Sequence, residues 1–201
     1  MKKIFLIISF LLFTSYIKGQ NITFETTSKL DEFTKSLNVS VFPMEERLVG
    51  KKVKKTTLTL TPPEDRTSYV TTSMSFSRRE DGTEIYYLSF TVSDDLGCMS
   101  KYDGKATILF EDGETLELTQ ISDTNCSDFA RSTYLIIPRK IFEEGDLESI
   151  SIVQNQSLKM LENKNVSKVR INGTKYYKDL EIRPGYNNLF QKMTIEIANI
   201  K

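Results

Sequence analysis

The stretch KATILFEDGETLELTQ, residues 105–120, carries the clearest fold signal in the chain. Apolar residues occupy every second position from Ala106 to Phe110, and the alternation resumes after Asp112-Gly113. Asp-Gly pairs tolerate the positive φ that tight hairpin turns require. The stretch therefore predicts a hairpin of Lys105–Phe110 with Glu114–Gln120, in which each strand has one apolar face.

The rest of the chain repeats this pattern of short strands and tight turns. Further turn signals lie at Asp81-Gly82, Asp103-Gly104 and Asn172-Gly173. The segments with strand character are Val53–Thr61, Ser68–Ser77, Tyr86–Val92, Arg131–Ile137, Glu148–Val153, Val166–Asn172 and Lys175–Ile182. Strands joined by short turns, without alternating helices, favour an all-β fold, specifically an antiparallel β-sandwich.

Two helices complete this prediction. Pro138 to Glu144 is expected to form one short helix, because proline suits a first helical turn and Gly145 stops it. A carboxyl-terminal helix is expected from about Asn188 to the end, since apolar residues recur there at spacings of three and four. A strand at Met193–Ile197 is the rival interpretation, because the apolar residues there also alternate.

The amino terminus has the pattern of a secretory signal peptide. Lys2 and Lys3 precede an apolar run, Ile4–Phe13, which is too short to span a bilayer. Cleavage is expected after Gly19, which leaves Gln20 as the new terminus; a buried helix or an uncleaved anchor is the alternative. We therefore expect a signal peptide at 1–19, a lead-in segment at 20–50 and the β-sandwich domain with its carboxyl-terminal helix at 51–201, in a secreted or periplasmic protein.

Cys98 and Cys126 are the only cysteines, and export would place them in an oxidising compartment. Neighbouring segments of a sheet bring Cα atoms within the distance that a disulfide needs. We expect a Cys98–Cys126 disulfide, with two separate buried thiols as the alternative.

Composition excludes several function classes. The 201 residues contain 27 basic and 27 acidic side chains, so there is no electrostatic argument for a nucleic-acid partner. The chain has no histidine, which removes Ser-His-Asp and Cys-His mechanisms and every histidine metal ligand. No catalytic, cofactor-binding or metal-binding residue is assigned, and the sequence predicts a non-enzymatic protein without a cofactor.

Six acidic residues lie near the predicted hairpins and could supply oxygen ligands to calcium. They are Asp94, Asp95, Asp103, Glu111, Asp112 and Glu114. Their spacing does not form a calcium-binding loop, so turns and solvated faces are the favoured interpretation. Four lysines between Lys51 and Lys55 could contact an anionic surface, but a guard on an edge strand is favoured.

Paired tyrosines are the candidate binding surface. Tyr86-Tyr87 and Tyr176-Tyr177 lie in predicted strands, where neighbours point to opposite faces. One member of each pair is thus expected in the core and the other at the surface, and exposed tyrosines suit protein or glycan contact. Six Asn-X-Ser/Thr sequons also occur, at Asn21, Asn38, Asn125, Asn155, Asn165 and Asn172.

Part of the chain, Tyr86–Ile182, resembles a set of small uncharacterised exported proteins of Gram-negative bacteria. The resemblance rests on Tyr-Tyr-Leu at 86–88, on Ile-Leu-Phe-Glu-Asp-Gly at 108–113, and on the regions around Cys126 and 131–137. A Val-Arg-Ile strand at 169–171 and the carboxyl-terminal helix complete it. It implies a secreted β-sandwich, and it assigns no functional residue.

Three functions follow as hypotheses. The first is an exported non-enzymatic protein that binds another protein or an envelope component through a face bearing Tyr86 or Tyr87. The second is a secreted glycan hydrolase that uses an Asp/Glu pair, which predicts a groove with two carboxylates of opposite pKa perturbation. The third is a periplasmic inhibitor, which sequence does not distinguish from the first.

Overall fold

A computed structural model describes residues 22–49, 51–61, 70–102, 104–124 and 130–200. Ten strands and three helices follow one another in these ranges. The elements are β1 (Ile22–Leu30), β2 (Leu37–Val49), β3 (Lys52–Thr57), β4 (Val70–Arg78), β5 (Glu84–Val92), β6 (Lys105–Phe110), β7 (Thr115–Gln120), β8 (Ala130–Leu135), α1 (Arg139–Glu144), α2 (Leu147–Asn163), β9 (Val166–Asn172), β10 (Tyr177–Glu181) and α3 (Leu189–Asn199).

All ten strands belong to one open antiparallel sheet, in the order β1-β2-β4-β5-β8-β7-β6-β9-β10 with β3 beside β2. The predicted all-β character is confirmed in its coarse form, while the two stacked sheets of the predicted sandwich are not. Between β7 and β8 the pairing is short, with only Thr119 opposite Leu135 and Gln120 opposite Tyr134. The sheet is therefore narrowly joined at its middle.

The predicted hairpin is confirmed as β6 and β7, with Gly113 at a φ of 89° in its turn. Period-two alternation places apolar side chains of every strand except β1 and β3 in a single hydrophobic core. In β5, for example, Tyr86, Leu88 and Phe90 are buried, as the alternation predicts. Burial of this apolar face is the main favourable contribution to folding.

The helix α3 confirms the prediction for the carboxyl terminus. It begins at Leu189, buries Phe190, Met193 and Ile197, and packs against β2 and β4. The rings of Phe90 and Phe190 lie 6.4 Å apart. The short helix predicted after Pro138 is confirmed as α1, with Gly145 following its last residue.

The strand predicted at Glu148–Val153 is wrong, because these residues form the first part of α2. Their β-branched alternation indicates a strand locally, but Asp146 caps a helix there: its carboxylate accepts from the Ser149 backbone N–H at 2.8 Å. Gln154, Ser157 and Leu161 then continue a buried stripe at helical spacing. The cap and the longer period outweigh the local alternation.

Most of the described part of the lead-in segment predicted at 20–50 lies in two strands of the sheet, β1 and β2. β2 pairs with β1, β3 and β4, and its Val39 and Val41 are buried in the core. Residues 1–19, with the predicted cleavage point between Gly19 and Gln20, lie outside the described ranges. The signal peptide therefore stays a prediction.

Candidate functional site

Tyr86 and Tyr87, the predicted binding residues, lie on opposite faces of β5. Tyr86 is 4% exposed, its ring is 5.7 Å from that of Phe76, and its hydroxyl donates to the Glu84 carboxylate at 2.7 Å. Tyr86 is thus the member of this pair whose side chain lies in the core, and the role of Tyr86 and Tyr87 as a binding surface stays a prediction. Tyr87 is half-buried on the other face. The second pair differs from the prediction, since Tyr176 and Tyr177 are both exposed.

A groove of about 690 Å³ lies beside Tyr87, between the start of β5 and the helices α1 and α2. It exists because β8 is shorter than its neighbour. The last β8 residue, Leu135, pairs with Tyr87, whereas β5 extends back to Glu84. On the side of β5 that faces β8, the first residues of β5 therefore have no neighbouring strand. Helix α2 lies beside them instead.

Gln154 of α2 replaces the missing strand. Its Oε1 accepts from the Tyr86 backbone N–H at 3.0 Å, and its Nε2 donates to the Glu84 backbone carbonyl at 2.9 Å. The side chain thus satisfies two backbone groups that the sheet would otherwise leave unpaired. Because this contact is polar and specific, it fixes the position of α2 relative to β5.

The groove walls are largely apolar. Eight side chains without any polar atom line them: Ile85, Ile121, Leu135, Ile137, Phe142, Leu147, Ile150 and Leu158. Leu147 is 75% exposed, although it begins α2 directly above this space. Contiguous apolar surface that folding leaves open to solvent is a property of binding sites.

Lys101 and Tyr102 form the end wall. Tyr102 has a φ of 71°, which a non-glycine residue adopts only at an energetic cost of order 1 kcal/mol. Its ring lies 5.2 Å from that of Phe142, and its carbonyl accepts from the Arg139 guanidinium at 2.6 Å. These contacts tie α1, which buries none of its residues, to the end wall.

Some charged side chains of the groove form ion pairs and others do not. Glu84 is engaged by Arg78 at 2.7 Å. Arg79 and Lys101 also line the groove, and neither forms an ion pair with any residue in the described ranges. Burial raises the pKa of the Tyr87 phenol, and the positive charge of Arg79 acts in the opposite direction. Arg79 therefore lies within electrostatic range of the Tyr87 hydroxyl.

A second depression, of about 660 Å³, adjoins the groove and shares Arg79, Ile85 and Tyr87 with it. Its remaining walls are polar: Thr34 and Ser36 come from the β1–β2 turn, Ser77 from β4, and Glu80 and Asp81 from the β4–β5 turn. Phe33, in the first of these turns, is 98% exposed. The Asp31 carboxylate holds that turn by accepting from the backbone N–H groups of Phe33 and Thr34 at 2.9 and 3.1 Å.

The acidic residues considered as calcium ligands are engaged elsewhere. Asp94 accepts from Lys178 at 2.7 Å and from the Tyr176 hydroxyl, and Asp95 pairs with Lys175. Lys164 reaches both Asp112 and Glu114 at 2.6 Å, while Glu111 accepts from two asparagine side chains. Asp103 lies outside the described residues, among which no group of three metal-ligating side chains occurs.

The lysines at 51, 52, 54 and 55 are exposed on or beside β3, which pairs only with β2 among the described strands. Their edge position agrees with the interpretation that they guard an edge strand.

Cys98 is exposed, and Cys126 lies outside the described residues, so the disulfide stays a prediction. The flanking backbone brings the two segments together. The Thr124 backbone N–H donates to the Met99 carbonyl at 2.9 Å, and the Met99 N–H donates to the Thr124 hydroxyl at 2.7 Å.

The chain matches no protein-family model, no curated protein and no solved structure. The resemblance to exported β-sandwich proteins is therefore still a prediction. Within the described ranges, no helix has the length and apolar character needed to cross a membrane. The function must be inferred from the geometry of the groove.

Proposed function

We propose that the protein is an exported, non-enzymatic binding protein that holds an amphipathic envelope component in the groove between β5 and α2. Export rests on the predicted signal peptide. The observation that carries the binding role is the set of eight apolar side chains around about 690 Å³ of accessible space. That volume lies within the range of sites for small ligands.

The hydrolase hypothesis receives less support from the same groove. A glycosidase needs two carboxylates, one of which has a raised pKa so that it can act as the acid. Glu84 is the only carboxylate among the described lining residues, and Arg78 already engages it. Glu80 and Asp81 line the adjoining depression rather than the groove itself. The apolar lining of the groove therefore supports binding more directly than hydrolysis.

The test uses a neutral apolar probe and a variant that fills the groove. Phenylnaphthylamine fluoresces when it enters an apolar site, and we expect the mature protein to bind it at one site per chain. Ser151 lies exposed on α2 and lines the groove, so Ser151→Phe should abolish the fluorescence increase. Gln156→Phe, on the same helix but away from the groove, is the matched control.

Two outcomes would contradict the proposal. One is the absence of probe binding to the folded wild-type chain, with folding checked by circular dichroism. The other is equal probe binding by the Ser151→Phe and wild-type proteins, because the site would then lie elsewhere.

A further inference from the structure

We infer that the ligand of this groove is a single-chain amphiphile with an anionic head, whose head is held by Arg79 and Lys101 and whose apolar body lies along α2. This inference rests on the proposed binding function and specifies the chemistry of the ligand. The head group is a carboxylate, a sulfate or a phosphate monoester, since all three offer charged oxygens to cationic donors.

The first support is the contrast between these two cations and three basic side chains of the surface that have acidic partners. Lys105 pairs with Glu117 at 2.9 Å, Arg139 with Glu143 at 2.7 Å and Arg170 with Asp179 at 2.6 Å. Within the described part of the chain, Arg79 and Lys101 have no carboxylate within ion-pair distance although both line the groove, and Asp81 of the adjoining depression attracts Arg79 only at longer range. An anionic ligand would supply a closer partner for both cations.

The second support is the rigid placement of Arg79 and Lys101. Arg79 opens the β4–β5 turn, where its N–H donates to the Thr83 carbonyl at 2.9 Å and its carbonyl accepts from Gly82 at 3.0 Å. The Lys101 N–H donates to the Asp123 carboxylate at 2.7 Å, and its ammonium lies 4.8 Å from the centre of the Tyr102 ring. Fixed backbones reduce the entropy that these groups lose when a ligand binds.

The third support is the surrounding polarity. The Tyr87 phenol lies near Arg79 and stays protonated, so it is available as a hydrogen-bond donor to an anionic oxygen. The α2 side of the groove presents Leu147, Ile150 and Leu158. A groove that combines cationic side chains with an apolar wall is complementary to an amphiphile with one charged head.

Two probes with similar aromatic bodies test the inference. Anilinonaphthalene sulfonate carries an anionic group, whereas phenylnaphthylamine is neutral. We expect the sulfonate to bind more tightly to the wild-type protein. Arg79→Gln and Lys101→Gln should each weaken sulfonate binding by about tenfold, as expected for the loss of one charge-assisted contact, and leave the neutral probe unaffected. Lys140→Gln, at an exposed position of α1 outside the groove, is the control.

Competition identifies the class of ligand. Dodecanoate should displace the sulfonate probe, whereas dodecanol, which lacks the charge, should compete far less. The advantage of dodecanoate should shrink as salt increases, because ions screen the attraction at the groove mouth.

The failures of the two proposals are distinguishable. If the neutral probe binds but the sulfonate binds no better, or if both glutamine variants bind the sulfonate as the wild type does, the inference is wrong and the groove remains a binding site. If neither probe binds the folded protein, the binding function itself is wrong. Concentration-dependent dimerisation in sedimentation, lost in Ser151→Phe, would assign the groove to a second copy and overturn the inference.

Discussion

The groove and the contacts of Arg183 with Glu45 and Tyr186, here called the seam, contain the same kinds of side chain but differ in what those side chains contact. At the seam, the Arg183 guanidinium donates to Glu45 of β2 at 3.0 Å and lies 4.2 Å from the centre of the Tyr186 ring. The side chains of Arg183 and Glu45 are only 7% and 6% exposed. In the groove, Arg79 lies beside Tyr87 and Lys101 beside the Tyr102 ring, and neither has a carboxylate within ion-pair distance in the described ranges.

This difference separates charges that hold the fold together from charges that are available to a ligand. The seam connects β2 to the segment after β10, and the Arg183 N–H adds a bond to the Leu60 carbonyl at 3.0 Å. Its interactions therefore join parts of the chain that are distant in sequence. Substitutions at the seam should change stability, whereas substitutions of the groove cations should change binding alone.

The largest expected effect is at the seam. Arg183→Met leaves the Glu45 carboxylate buried without its guanidinium, which should lower the free energy of unfolding by about 3–5 kcal/mol. Urea denaturation followed by circular dichroism measures it. The double variant Glu45→Leu/Arg183→Met removes both charges and should recover most of the loss. Lys105→Met, at the exposed pair with Glu117, should cost less than about 1 kcal/mol; an equal loss there would show that burial is not the cause.

The predicted disulfide has the next largest effect. A Cys98–Cys126 bridge would stabilise the fold by about 3 kcal/mol in the chain-entropy model, so a reductant should lower the melting temperature by several degrees. The double variant Cys98→Ser/Cys126→Ser should show no response to the reductant. Titration of two reactive thiols in the unfolded but unreduced mature protein would eliminate the bridge.

The contact between α2 and β5 should contribute less. Gln154→Ala removes the partners of the Tyr86 N–H and the Glu84 carbonyl and should cost about 1–3 kcal/mol of unfolding free energy. Hydrogen exchange at Tyr86 should accelerate more than exchange at Leu88 in the middle of β5. Similar acceleration at both amides would indicate global destabilisation. It would argue against a local role of Gln154 in holding the start of β5.

The sequence predicted the elements whose signals are local. The β6–β7 hairpin follows from its alternation and from Asp112-Gly113, and α3 follows from apolar spacing. The α2 helix was missed because Glu148–Val153 alternates like a strand, although the Asp146-X-X-Ser149 cap signal was present. Strand order depends on long-range packing, so one open sheet could not be distinguished from two stacked ones.

The site was only partly predictable, because its geometry arises from a mismatch in strand length. Tyr87 was selected on sequence grounds and does line the groove. Gln154 and Tyr102 carried no signal, since their roles depend on where β8 ends and on a positive φ in a loop. In the acidic cluster, lysines, asparagines and Tyr176 engage the described carboxylates, and these contacts between distant segments had no signal in the sequence.

A smaller effect depends on pH and concerns the contact of Asp94 with Tyr176. Burial would raise the pKa of Asp94, but hydrogen bonds from Lys178 and Tyr176 hold it below 3.8. Its contribution is present above pH 3.8 and is lost as the pH falls through the lowered value. The hydrogen bond to Asp94 raises the pKa of Tyr176 from 10.0 to about 12. That contribution is complete below pH 10.0 and is lost as the pH rises towards about 12.

Tyr176→Phe should therefore reduce the loss of stability between pH 10.0 and about 12, relative to wild type. Urea midpoints across this range measure the difference. Tyr177→Phe is the matched control, because its ring retains the stacking on Arg170 at 4.1 Å. Identical pH profiles for Tyr176→Phe and wild type would show that the contact between Tyr176 and Asp94 does not stabilise the fold.

The smallest expected effect is the change in stability when a groove cation is replaced, and it tests the difference between the groove and the seam directly. Arg79→Gln and Lys101→Gln should change the free energy of unfolding by no more than about 0.5 kcal/mol, because neither cation has a carboxylate within ion-pair distance among the described residues and both lie at the surface. Urea denaturation of the ligand-free variants, beside Arg183→Met, measures this. A loss of the size seen at the seam would mean that the groove cations are structural. If the two glutamine variants keep the stability of the wild type and bind the anionic probe more weakly, the two regions have different roles. The buried ion pair at the seam then stabilises the fold, and the cations of the groove bind the ligand.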